Sequence, residues 1–103
     1  MVEMEQIAFQ LISEVGSARS HLMEALQAAR RSEYELAQNH VESAEQQLMN
    51  GHKIHAQLIQ KEASGEGVPV TLLLLHAEDL MLTTETMREL VKEMLYMYEE
   101  FRR

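Results

Sequence analysis

His76 and Asp79 stand three residues apart inside LLLLHAEDLMLTT, residues 72–84. At that spacing two side chains share one face of a helix. A neutral imidazole is a nucleophile near neutral pH, and a neighbouring carboxylate can orient the ring or retain its proton. In so apolar a run an ionisable pair is costly unless something satisfies it. Three readings follow from the residues: a solvated surface pair of little energetic weight, a histidine nucleophile, or a metal site. The last needs more ligands than one His and one Asp, unless symmetry multiplies them. The other histidines offer less. His52 and His55, again three apart, could form half a metal site but read better as partly buried side chains hydrogen-bonded to their surroundings. His21 and His40 stand in no constellation and read as surface residues. No Glu-x-x-His, Gly-rich phosphate loop, nucleophile elbow or His-Glu-x-x-His occurs, which argues against di-iron, P-loop, α/β-hydrolase and zincin chemistry.

The elements that must position these residues are helices. Met4, Ala8, Leu11, Val15, Ala18, Leu22, Ala25 and Ala29 recur at spacings of four and three, predicting a helix over about 2–30. A second helix is expected over about 33–63, opened by Ser32 and Glu35 as a capping box, with the seam Ala37, Val41, Ala44, Leu48, Gly51, His55 and Leu58. The stretch SGEGVP at 64–69 breaks the chain, and a third helix is expected over about 69–101 with Pro69 in its first turn. Its seam reads Val70, Leu73, Ala77, Leu80, Thr84, Met87, Val91, Met94, Tyr98 and Phe101. A secondary seam, Leu72, His76, Asp79, Thr83, Thr86 and Leu90, runs beside it. Short connections predict an all-α, antiparallel three-helix hairpin, up-down-up. The third helix is apolar nearly all round between Leu72 and Leu82, and two neighbours cannot cover every side of it. A homo-oligomer with the third helices near its centre is the simplest solution, the secondary seam facing another subunit.

Composition narrows the function. The chain has 103 residues and no cysteine, consistent with a single domain over 1–103 and excluding thiolate metal sites and cysteine nucleophiles within it. A net charge of −8, with basic pairs only at Arg30-Arg31 and Arg102-Arg103, disfavours nucleic acid as a partner. No secretory signal or membrane span is visible, so a cytoplasmic protein is expected.

Ala18-Arg19-Ser20 followed by Leu22, Glu24, Ala25 and Leu26, then His52, the linker ASGEG at 63–67, and above all HAEDLMLTT at 76–84 occur in this order. In these the chain resembles, over essentially its whole length, the lactose/cellobiose-specific enzyme IIA of the bacterial phosphoenolpyruvate-dependent sugar phosphotransferase system, whose motif typically reads HAQDHLMTT. The resemblance implies a homotrimer of three-helix hairpins, a nine-helix bundle. It implies that His76 takes a phosphoryl group from the histidine phosphocarrier protein and passes it to a cysteine of the cognate IIB component, for uptake of a β-linked disaccharide. It also implies that Asp79 from three subunits meets at the trimer axis and binds a divalent cation, typically Mg2+. Glu78 stands where the family usually has Gln, and Leu80 where it usually has a second His. If Glu78 points at the site, its charge opposes an incoming phosphate. These departures keep a second class in view, a non-catalytic regulatory or scaffolding trimer. A two-component phosphorelay bundle ranks lower, because its histidine is usually followed at the third position by Lys, where Asp79 stands here. The sugar is not legible in this chain.

Overall fold

The computed structural model describes residues 2–102, and side chains over 4–102; Arg103 of the terminal basic pair lies outside them. Three α-helices follow one another: α1 Val2–Arg30, α2 Tyr34–Ala63 and α3 Leu72–Phe101. They run up, down and up as a rod of 55 × 21 × 19 Å, of which helices of about 30 residues account for about 45 Å at 1.5 Å per residue. No helix among the described residues is long and apolar enough to cross a membrane.

α1 is the shared wall. Its whole anticipated seam is buried, from Met4 through Ala8, Leu11, Val15, Ala18, Leu22 and Ala25 to Ala29. α1 packs broadly on both other helices, whereas α2 and α3 meet along a narrower line. The many alanines matter here, because a methyl side chain lets helix axes approach. Gly51 of α2 marks the tightest approach described by a glycine. A Cβ built there would lie 3.2 Å from Val15, 3.4 Å from Leu11 and 3.7 Å from the sulfur of Met81, so all three helices converge on it.

Two helix boundaries differ from the sequence expectation. Ser32 does not cap α2. It adopts φ +65° as the left-handed residue that ends α1, with Ser32 N–H donating to the Ala29 carbonyl at 2.9 Å and Glu33 N–H to the Ala28 carbonyl at 2.9 Å. That pair of bonds satisfies carbonyls the helix would otherwise leave orphaned. α2 starts after Glu33 with no side-chain cap, and Arg102 from the end of α3 bonds the Ser32 hydroxyl and, at 3.0 Å, the Arg30 carbonyl. Gly65, φ +87°, ends α2 in the same manner, with Gly65 N–H on Glu62 O and Glu66 N–H on Lys61 O. Pro69 does not open α3. Val68 packs on the cluster of Met4, Leu58 and Leu74, which holds the linker across the base of the hairpin. The helix begins only where Thr71 can cap it, its hydroxyl accepting from Leu74 N–H at 3.1 Å.

The seam of α3 also departs from its heptad reading. Ala77, Thr84 and Val91 are buried, and Leu73, Leu80, Met87 and Tyr98 pack against the core. Val70 lies before the helix and is exposed, Met94 is 41% exposed and Phe101 77% exposed, while Leu74, Met81 and Leu95 are buried instead. A straight helix drifts about 20° per heptad from a strict seven-residue repeat. Over the four heptads from Leu73 to Phe101 the strict repeat therefore rotates off the core by about 80°.

Gly51→Leu is expected to lose about 1–3 kcal/mol by overpacking, read as a lower urea midpoint at unchanged slope. An unchanged midpoint would show that the three helices have slack at this point.

Candidate functional site

The outward face of α3 carries the residues singled out above. His76, Asp79, Thr83 and Thr86 are all exposed. Apolar side chains bracket them. Leu72 is 84% exposed, and Leu75, Leu82, Leu90 and Met97 are each more than half exposed. The secondary seam thus points away from both partner helices. So many large apolar groups along one helix face are unusual on the water-exposed surface of a monomeric protein.

Within the chain, His76 and Asp79 do not form an ion pair. Among the described residues no hydrogen-bond partner meets either side chain. The nearby hydroxyls are turned onto their own helix: Thr83 Oγ1 donates to the Asp79 carbonyl at 2.9 Å and the Leu80 carbonyl at 3.2 Å, and Thr86 Oγ1 to the Leu82 carbonyl at 3.4 Å. The imidazole and the carboxylate are therefore both free for groups outside the chain.

The two departures from the usual motif have separate structural explanations. Glu78 turns toward α2, where its Oε1 sits 2.7 Å from His55 Nδ1. It is one rung of a polar ladder between α2 and α3. Further rungs are His52 with Glu85, and Glu45 with Lys92 at 3.1 Å and with Arg88 at 3.8 Å. The Glu78 charge consequently has a partner on the side away from the His76 stripe. Leu80 packs against the core that the three helices share. The ladder also settles His52 and His55. Each faces its own glutamate, and the two do not combine into a ligand pair.

Sequence reasoning missed one grouping. His21 and His40 are half-buried, not isolated surface residues, and their Nδ1 atoms lie 2.9 Å apart. Glu24 Oε2 stands 3.5 Å from His21 Nδ1 and 3.3 Å from His40 Nδ1. The turn at 31–33 folds α2 back on α1, so residues at similar distances from it face one another. Gln47 meets Ser17 and Asn50 meets Glu14 in the same way. The signal available beforehand was the i, i+3 spacing of His21 and Glu24 combined with the hairpin register.

The described residues thus form a three-helix hairpin without strands that displays His76 on an open face, where none of them pairs with it. The chain belongs to the lactose/cellobiose-specific IIA subunit family of the phosphotransferase system, whose family match spans residues 6–99. It is 46% identical over 95 residues to the oligo-beta-mannoside-specific EIIA component of Bacillus subtilis, covering 92% of this chain and 86% of that one. Its fold superposes on the crystal structure of the cellobiose-specific enzyme IIA from Bacillus anthracis with a TM-score of 0.96 at 37% identity, covering 99% and 94% of the two chains. It also matches a chain from the solution structures of the IIA(Chitobiose)–HPr complex of the Escherichia coli phosphotransferase system, with a TM-score of 0.85, 27% identity and 97% of each chain covered.

A double-mutant cycle pairing Glu78→Gln with His55→Ala is expected to give a coupling of about 0.5–1 kcal/mol at low salt, shrinking as salt is added. No coupling at low salt would mean that Glu78 is not held by α2.

Proposed function

We propose that this chain is a phosphocarrier that accepts a phosphoryl group on His76 from the histidine phosphocarrier protein and delivers it to a cysteine of a cognate IIB component. The observation that carries this reading is the His76 ring, exposed on the outward stripe of α3 with no partner among the described residues, in a member of this family. An imidazole lone pair attacks phosphorus as the donor's P–N bond breaks. The imidazole–phosphoryl bond so formed breaks in turn when the IIB thiolate attacks. Transfer through a loose transition state asks for alignment and charge screening more than for covalent assistance. An exposed histidine suits that need, because each partner protein brings its own half of the site. The transfer takes place in the cytoplasm, and the group finally reaches a β-linked disaccharide in transit through the membrane component. The oligo-beta-mannoside and cellobiose names of the relatives support a β-linked sugar.

The same stripe supports assembly as a homotrimer. Three copies packing Leu72, Leu75, Leu82, Leu90 and Met97 together would take this apolar surface out of water, at roughly 25 cal/mol per Å2 buried. On that stripe Asp79 is the carboxylate that symmetry would multiply. Its side chain is exposed and unbonded among the described residues, and Thr83 bonds backbone carbonyls instead of it. Oxygen donors of this kind fit a hard divalent cation such as Mg2+. Three Asp79 carboxylates would hold the ion, which would neutralise their mutual repulsion.

Incubation with phosphoenolpyruvate, enzyme I and the histidine phosphocarrier protein is expected to give an acid-labile phosphate that His76→Gln abolishes. Equal labelling of that variant would move the site elsewhere, and no labelling of the native chain would leave a helical scaffold. Asp79→Leu is expected to keep or strengthen the trimer while ending any Mg2+ dependence of its stability, since apolar residues can replace a buried charge cluster. A monomeric Asp79→Leu protein with intact helices would overturn that role.

A further inference from the structure

The grouping of His21, Glu24 and His40 lies between α1 and α2 and has no part in the relay proposed above. One ligand atom from each residue falls within 4.8 Å of the other two. The triangle has edges of 2.9 Å between the imidazole nitrogens and 3.5 and 3.3 Å from these to the Glu24 oxygen. Ligands bound to one zinc ion at 2.0–2.1 Å and tetrahedral angles stand about 3.3 Å apart. Two edges are already near this value, and the third opens to it by a small swing of side chains that are only half-buried. Two imidazoles that meet Nδ1 to Nδ1 can place only one proton between them, so one nitrogen already carries a lone pair and zinc has only the other's proton to displace. The partial exposure of all three side chains leaves the outer side open to water as a fourth ligand. Two nitrogens and one carboxylate oxygen suit a borderline cation better than a hard one.

We propose that His21, Glu24 and His40 form a zinc site that ties α1 to α2 about two helical turns from their connection. It binds one ion per chain through His21 Nδ1, His40 Nδ1 and a Glu24 oxygen. The site differs from the all-oxygen arrangement proposed at Asp79 in donor type, in the helices used and in needing no second copy of the chain.

The test is calorimetric titration of the metal-free full chain with zinc chloride in buffer containing excess Mg2+, which keeps any hard-cation site filled. The expected result is one zinc per chain. Binding should weaken by at least about tenfold in His21→Gln and in His40→Gln, while His52→Gln should leave it unchanged. Zinc should raise the melting temperature of the native chain but not of the two site variants. Should those variants lose helical content, imidazole nitrogen chemical shifts in the native chain decide the matter. Zinc is expected to move the Nδ1 resonances of His21 and His40. Absence of zinc binding, undiminished binding in the His21→Gln/His40→Gln double variant, or shifts confined to other histidines would each overturn the proposal.

Discussion

The close approach of small residues on α1 is the constraint on which the other features depend. Ala8, Ala18, Ala25, Ala28 and Ala29 alternate with Leu11, Val15 and Leu22 in one buried seam, and both remaining helices lean on it. Because α1 takes the apolar contact of each, α2 and α3 need little apolar surface between themselves. Their shared edge is a ladder of polar contacts, Glu78 with His55, Glu85 with His52 and the ion pair of Glu45 with Lys92. Such pairs add little stability individually when partly exposed. They do fix the rotation of α3 about its axis: one flank faces α1, another is occupied by the ladder, and the stripe through His76 and Asp79 is left pointing outward.

That division explains what could be read from the residues alone. The seam of α1 was legible throughout, because an alanine-rich face packed on two sides leaves an unbroken period. The seam of α3 was legible only over its middle. At Met94 and Phe101 the seven-residue repeat had drifted off the core, and true burial had passed to Leu95. The chemistry at the helix ends was harder to read, because Ser32 and Pro69 each suit two roles. Ser32 is a common capping residue, yet here it ends the preceding helix at positive φ. Pro69 fits a first helical turn, yet Val68 pins the linker to Met4 and Leu58. The Ser32 outcome rests on backbone bonds of the 31–33 turn to Ala28 and Ala29, and the Pro69 outcome on a tertiary contact that local sequence does not encode.

The candidate site was legible in proportion to how local it is. His76 and Asp79 share a face through helix geometry alone, and their exposure follows from the apolar stripe around them. The place of Glu78 was not legible, since it depends on the register of α2 against α3. The meeting of His21 with His40 was hidden for the same reason. Both are fixed by how a hairpin folds back, and a helical period carries no information about that.

The electrostatics of the outward stripe give the departure at position 78 a physical meaning. A phosphoryl group on an imidazole adds about two negative charges on a chain whose net charge is already −8. Asp79 sits one helical turn away on the same face, so it is the residue whose charge such a group must tolerate. A second free carboxylate from Glu78 would compound that repulsion. His55 answers it by holding Glu78 on the α2 side, 2.7 Å from its Nδ1 and off the stripe. The His55–Glu78 contact thus accommodates Glu where the motif that the chain resembles has Gln. Position 55 is therefore the place to look for a compensating histidine in any relative that also has an acid at this point.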